Sequence, residues 1–337
     1  MAIGFAYTTD ESKITELAGI PLRKYYSDLK TMIWAQARAS AVIERALDEK
    51  RRGHVLSRGH VLDAEVMGCA VFWPEDEEPM ISAPAIARVE DVLRFRPPDP
   101  PDNPIVRREL ALARTYYQLT GEKAGIAFNG PVTAAAFCLG MSVFYALAAT
   151  DTGLAEELVR RVTASVIAWA TYHNAELQIP VTGTIGLADD SASFLSPALF
   201  ARLSLPYARQ WYEAFPGHHR RVLHICGNTN HVLDQLATLD LAVFDLGEIV
   251  DLPRARAALP NTYLSRIIDF RLVRDGDADQ IRSYIVEQIE LGAPGDRLTI
   301  KMEGWRGVPL WKARVVKETV ESYSQAHYGL PRPQWCL

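Results

Sequence analysis

From about residue 120 onward, short apolar runs rich in β-formers alternate with longer stretches whose apolar positions recur at helical spacing. The runs Gly125–Asn129, Glu176–Val181, Val222–Cys226, Leu241–Leu246, Tyr263–Ile268 and Leu298–Glu303 predict strands. Between them, Ala155–His173, Pro197–Ala214, Thr229–Leu239, Asp277–Leu291 and Pro309–His327 predict helices. Upstream, Cys69–Trp73 predicts a further strand, and His54–Leu62 holds a candidate for an eighth. Strand alternating with helix indicates parallel β/α units, and seven or eight such units favour a closed (β/α)8 TIM-type barrel over an open doubly wound sheet. No Gly-x-Gly-x-x-Gly turn follows any predicted strand, so nothing supports dinucleotide binding. The expected organisation is α/β: one domain over 1–337, with 1–60 a helical N-terminal extension and 61–330 the barrel. The proline-rich run Arg96–Asp102 interrupts this pattern as an extended surface loop rather than a domain linker.

Composition narrows the function classes. The 337 residues are 48% hydrophobic and 23% charged, ordinary for a chain that buries a large core. No segment approaches a membrane span's length without charge, and the start, MAIGFAYTTDESK, lacks the basic-then-apolar layout of a secretory signal, so a cytoplasmic protein is expected. A net charge of −5, with only short basic clusters at Lys50-Arg51-Arg52 and Arg220-Arg221, argues against a nucleic-acid surface. Cys69, Cys138, Cys226 and Cys336 lack the spacing of a disulfide framework and read as free thiols or ligands.

The densest chemistry lies in Arg221-Val-Leu-His-Ile-Cys-Gly-Asn228. Side chains alternate along a strand, so Val222, His224 and Cys226 share one face while Leu223 and Ile225 share the other. Gly227-Asn228 ends the run, placing His224 and Cys226 at the C-terminal mouth, where barrel enzymes keep their active sites. An imidazole and a thiolate two residues apart reach a single ion, and that pairing suits zinc. Alone, His-x-Cys is more often a pair of packing residues than of ligands, but two acids strengthen it. Glu248 follows the Leu241–Leu246 strand. Glu303 ends the last strand, where Thr299, Lys301 and Glu303 form a polar face that is costly to bury unless it lines a site. Asp189-Asp190 reads either as paired carboxylates at a strand end or as the cap of a short helix. His218 and His219 fit an exposed turn, His173 a favourable charge at a helix C-terminus, and His54 and His60 stay open. Tyr207, Trp211, Trp305 and Trp311 are aromatic candidates for a pocket wall or for helix packing.

His224-Ile-Cys-Gly-Asn228 resembles the central motif of the uroporphyrinogen decarboxylase-like superfamily, in its zinc-dependent methyltransferase branch. Asn129-Gly-Pro-Val-Thr133 resembles its Gly-Pro-[Phe/Val]-Thr turn. Asp189-Asp190, Leu195-Ser-Pro197 and Leu205-Pro-Tyr207 resemble its acidic, Ser-Pro and Pro-Tyr block, and Gly304–Glu321 resembles its closing helix. The likeness runs from about Asp63 to Tyr323 and implies a barrel. It also implies zinc, a small methylated substrate of methoxy, methylamine or thiol type, and a corrinoid protein or related carrier as partner. Such relatives hold zinc with a His-x-Cys pair and a later Cys; here the matching position falls on or near Glu303. The implied ligands are therefore His224, Cys226 and Glu303. Glu248 stands as a fourth ligand or base, Asp190 as a second candidate catalytic acid, and Asn129, Asp189, Tyr207 and Asn228 as candidate substrate-binding residues. A hard carboxylate in place of a soft thiolate makes the metal more electron-poor, which tilts the expectation toward methoxy or methylamine substrates. The Arg-Gln-Ala-Gly-Arg motif of the porphyrin decarboxylases is absent, with Leu22-Arg-Lys-Tyr-Tyr26 a poor substitute. Two alternatives stay open: a metal-independent lyase using Asp189 or Asp190, and a non-catalytic relative.

Overall fold

The computed structural model describes residues 3–50, 55–125, 127–180, 183–292 and 297–328, apart from the side chains of His218 and His219. Its strands are β1 (Ile3–Thr9), β2 (Ala70–Phe72), β3 (Met80–Ala83), β4 (Gly183–Ala188), β5 (His218–Ile225), β6 (Val243–Leu246), β7 (Tyr263–Ile267) and β8 (Leu298–Gly304). Six form a parallel sheet in the order β1-β8-β7-β6-β5-β4, and Asn129 adds a parallel bridge to Ala188 on the free edge of β4. Residues 55–62 close the gap between Asn129 and β1 through side chains rather than a ladder. Asn129 Nδ2 donates to the His60 carbonyl oxygen (2.9 Å), and the Ser57 hydroxyl donates to Glu11, just past β1. The architecture is a TIM-type (β/α)8 barrel, as the alternating pattern predicts.

The strand pattern explains which side chains meet the helices. Phe244 and Leu246 of β6 are fully buried with Leu223 and Ile225 of β5, whereas Asp245 between them turns inward to meet β5 and β8. One apolar cluster runs from Ile3 through these strands to Val320 in the last helix. Helix starts follow capping chemistry. Asp151 accepts from the Leu154 amide to start Thr152–Glu176, and Ser196 caps Pro197–Leu203.

Several sequence expectations change. Residues 3–9 are not part of an extension outside the barrel, because β1 pairs with β8 along its whole length. The expected strand Glu176–Val181 does not form over its described residues: the helix continues through Glu176 and Gln178 turns with φ 51°, while Val181 lies outside the described residues and β4 is described over Gly183–Ala188. Residues 70–72 do form a strand, but one that pairs antiparallel with β3 outside the barrel sheet. No strand forms at 55–62, and residues 51–54, with His54, lie outside the described residues. The helix expected over Pro197–Ala214 is two, Pro197–Leu203 and Leu205–Glu213, since Pro206 has no amide hydrogen for the carbonyl a turn before it. Thr229–Leu239 is helical only from Leu233. The backbone of His218–His219 begins β5 rather than forming a turn, and Cys336 lies outside the described residues. Among the described residues no single helix is long and apolar enough to cross a membrane; the apolar helices Pro131–Leu139 and Met141–Thr150 meet at 107°.

Candidate metal centre

Strand alternation holds for β5: Leu223 and Ile225 sit in the apolar layer, and His224 and Cys226 face the barrel interior. Cys226 Sγ lies 2.9 Å from His224 Nε2. The other ring nitrogen, Nδ1, donates to Asp245 Oδ2 at 2.7 Å; a carboxylate only accepts, so the hydrogen sits on Nδ1 and the Nε2 side faces the thiol. Lys301 Nζ donates to the same Oδ2 at 2.6 Å and reaches Glu303 Oε1 at 3.1 Å. Four side chains from three strands thus form one chain of contacts, Cys226–His224–Asp245–Lys301, with Glu303 at its far end. The barrel register makes this possible, because His224 stands opposite Asp245 across the β5–β6 ladder.

Burial sets the electrostatics and partners reverse it. Burial alone would drive the His224 imidazolium toward neutrality, but Asp245 and Cys226 outweigh it and hold its pKa up to about 10. Burial would likewise raise Asp245, yet His224 and Lys301 keep its carboxyl below the usual range. Burial disfavours the Lys301 ammonium, and Asp245 and Glu303 raise it nonetheless. At Cys226 burial wins: it pushes the thiol up despite the imidazole beside it.

The carboxylate grouped with His224 and Cys226 is that of Asp190. It opens the short 3₁₀ turn Asp190–Phe194 after β4; its Oδ1 accepts from the Cys226 amide (2.7 Å) and lies 3.6 Å from His224 Nε2. Ligand atoms of Asp190, His224 and Cys226 all fall within 4.8 Å of one another, the only such group among the described residues. Glu303 does not join it, since Lys301 holds its carboxylate. Nor does Glu248, whose charge is felt at Arg266 and Arg271. Of the expected set of His224, Cys226 and Glu303, the first two lie in this group and Glu303 does not; Asp190, read from sequence as a catalytic acid, is the carboxylate beside them. Two glycines permit the close approach. A Cβ on Gly227 would stand 2.0 Å from Ser193 Oγ, and one on Gly247 would stand 1.7 Å from the Cys226 carbonyl oxygen.

The candidate substrate-binding residues are not brought together. Asp189 is buried with its oxygens occupied: Oδ1 accepts from the Thr133 amide (2.8 Å) and hydroxyl (2.9 Å), and Oδ2 from the Ser204 hydroxyl (3.3 Å). It anchors the first turn of the helix Pro131–Leu139; it does not cap the short turn that follows it, where its side chain makes no capping bond. Asn129 spends its side-chain amide on His60 and on Asp63 Oδ1 (2.8 Å). Tyr207 is buried beside Glu156, Glu157 and Arg160, away from the mouth. Asn228 is exposed at the mouth and accepts from the Asn230 amide (3.0 Å). Trp211 donates to the Gly186 carbonyl (3.1 Å), Trp305 packs edge-on against Phe270, and Trp311 is exposed. His173 is buried rather than a helix-end charge, and burial lowers its pKa to about 4. The residue missed in the sequence is Asp245. Its signal was there: a lone acid inside Val243-Phe-Asp-Leu246, an apolar strand that would not tolerate an unpaired charge.

Comparison with known proteins adds a family. The uroporphyrinogen decarboxylase (URO-D) family profile matches residues 55–282. No curated protein sequence matches the chain. Among solved structures, a methyltransferase from Methanosarcina mazei is 17% identical with a TM-score of 0.72, over 96% of this chain and 94% of that one. A protein described as a vitamin-B12 independent methionine synthase from Listeria monocytogenes is 12% identical over 96% of this chain and 99% of that one, with a TM-score of 0.48, too slight a likeness to inform the fold.

Proposed function

The chain belongs to the uroporphyrinogen decarboxylase family, and from that premise we propose that it is a zinc-dependent methyltransferase. It would move a methyl group between a small methylated compound of methoxy, methylamine or thiol type and a corrinoid protein or related carrier. One observation carries the reading: a sulfur, an imidazole nitrogen and a carboxylate oxygen from Cys226, His224 and Asp190 converge at the mouth of the barrel. This donor set fits zinc, whose catalytic sites commonly use three protein ligands and keep a fourth position open. Zinc held there supplies Lewis acidity, the means by which a heteroatom is made a better leaving group or a thiol a better nucleophile. The fold shared with the Methanosarcina mazei methyltransferase supports the reading.

The chain's own residues have distinct tasks in it. His224 presents Nε2 because Asp245 occupies Nδ1, and Cys226 is held by its amide on Asp190. Asp190, the most exposed of the three, closes the donor set on the solvent side. Phe194, 71% exposed at the end of the same turn, offers an apolar surface to a methyl-bearing group. With Asp190 supplying the carboxylate, the donor set still holds one thiolate and one hard oxygen, which favours an oxygen- or nitrogen-bound methyl group over a thiol. The test is metal content after zinc supplementation. Wild type is expected to hold one equivalent and His224→Ala and Cys226→Ala far less, with methyl transfer to a reduced corrinoid lost in parallel. Wild-type protein that takes up no stoichiometric metal would overturn the reading.

A further inference from the structure

We propose that Asp245 and Lys301 are a positioning pair behind the donors: Asp245 locks the His224 ring with Nε2 outward, and Lys301 ties Glu303 back so that the fourth position stays free for substrate. The inference rests on the metal-centre reading of Asp190, His224 and Cys226.

The geometry assigns both tasks. Asp245 Oδ2 accepts at once from His224 Nδ1 (2.7 Å) and Lys301 Nζ (2.6 Å), while its other oxygen, Oδ1, is buried without a hydrogen-bond partner. A carboxylate with one oxygen doubly engaged and its strand neighbours Phe244 and Leu246 locked in the core has little freedom to turn. The ring it holds has little more, and an imidazole so held points its remaining nitrogen in a single direction. Lys301 is caught between two acids, 2.6 Å from Asp245 and 3.1 Å from Glu303 Oε1, with its side chain largely buried. Glu303 occupies the strand end from which a carboxylate could add a fourth protein donor, and its charge is felt at the Cys226 thiol. The ammonium between Asp245 and Glu303 is what the structure offers to keep that carboxylate away. Without it, Glu303 would carry an uncompensated charge beside a dication, and coordination would be its natural outlet.

Three variants separate these roles, read by zinc competition against a chelator and by the visible spectrum of the cobalt-substituted protein with added 2-mercaptoethanol. Asp245→Asn should keep one metal per chain and lose roughly 10- to 100-fold in zinc affinity, the usual cost of removing a ligand's supporting partner. Glu303→Gln should leave zinc affinity unchanged. Lys301→Met should retain the metal, but its cobalt spectrum should no longer respond to the thiol, and the double variant Lys301→Met/Glu303→Gln should regain that response. Wild-type zinc affinity in Asp245→Asn would overturn the positioning role. A loss in Glu303→Gln as large as that expected of Asp245→Asn would show that Glu303 is itself a ligand. A thiol response retained in Lys301→Met would overturn the tether, and should that variant not fold, Glu303→Gln still decides whether the carboxylate is held off the metal. Failure of the underlying reading looks different: His224→Ala would bind zinc as wild type does.

Discussion

The barrel interior carries two polar walls built from the same kinds of residue and put to opposite use. On one, Asp63, Asn129 and Asp189 are buried or half-buried and consumed by the architecture. Asp63 accepts from the Asn129 amide (3.1 Å) and side chain, and Asp189 accepts from the first turn of the helix Pro131–Leu139. On the other, His224, Cys226, Asp245, Lys301 and Glu303 bond mainly to one another, and the series ends at a sulfur and a ring nitrogen 2.9 Å apart. The boundary falls between two adjacent residues, since Asp189 belongs to the first wall and Asp190 to the second. Burial does not separate them in kind: the more buried acid is the structural one. What separates them is the partner. An acid facing backbone amides holds a helix; acids facing an imidazole and an ammonium tune a donor. The pKa directions agree. Burial pushes the Asp189 carboxyl up to about 6 against the pull of Thr133 and Val132, whereas His224 and Lys301 overcome the same burial at Asp245 and hold it low.

The largest effect should come from forcing the second wall apart. In Gly247→Ala the added Cβ would overlap the Cys226 carbonyl oxygen, a backbone atom that cannot swing away. We expect a loss of about 3 kcal/mol or more in urea unfolding, together with loss of metal binding; a variant as stable as wild type would mean the strand ends are looser than described. Next comes the first wall. Asp189→Ala strands the Thr133 amide and two hydroxyls, at a cost of about 2–3 kcal/mol, whereas Asp189→Asn keeps an acceptor for Thr133 and should cost less. This pair also carries a pH signature. With a folded pKa of about 6 against 3.8 for the free group, the folded chain binds the proton more tightly than the unfolded one. The resulting stability is present below pH 3.8 and lost as pH rises through 6. The advantage of wild type over Asp189→Asn should therefore shrink between pH 4 and 7, by about 3 kcal/mol at the limit of one fully shifted group, and urea titrations at both pH values would read it. A pH-independent difference would remove the argument that Asp189 is held by burial. The smallest stability effect is expected one residue on. Asp190→Ala loses one hydrogen bond to the Cys226 amide, about 1 kcal/mol in the metal-free protein, yet should weaken zinc binding clearly. If it instead destabilises the fold as Asp189→Ala does, the division between the two walls fails.

Much of the architecture was readable along the chain. The period-two pattern of Val222–Cys226 placed His224 and Cys226 on one face, and the same reasoning put Lys301 and Glu303 on the inner face of β8, where the structure has them. β1 was not readable, because Ile-Gly-Phe-Ala-Tyr-Thr-Thr is short and its partner, β8, lies at the other end of the chain. The strand after the helix Thr152–Glu176 was placed too early, because helix propensity carried through Glu176 and Pro180 cannot serve a central ladder. That Asp190 rather than Glu303 sits with His224 and Cys226 was not legible for a related reason. Position along a strand says which way Glu303 points, but not that Lys301 has already taken it.

Sequence alone determined what depends on neighbours in the chain: the alternation of strand and helix, the caps that start the helices, and the face shared by His224 and Cys226. These follow from backbone periods and local hydrogen bonds, which act over a few residues. Only the tertiary structure decided the membership of the site. Asp190 reaches Cys226 because β4 pairs with β5, Asp245 reaches His224 because β5 pairs with β6, and Lys301 meets Asp245 across the barrel. Which carboxylate becomes a donor, which a support and which a helix anchor is settled by charges competing for a few partners in a confined space, and that competition begins only when the sheet closes.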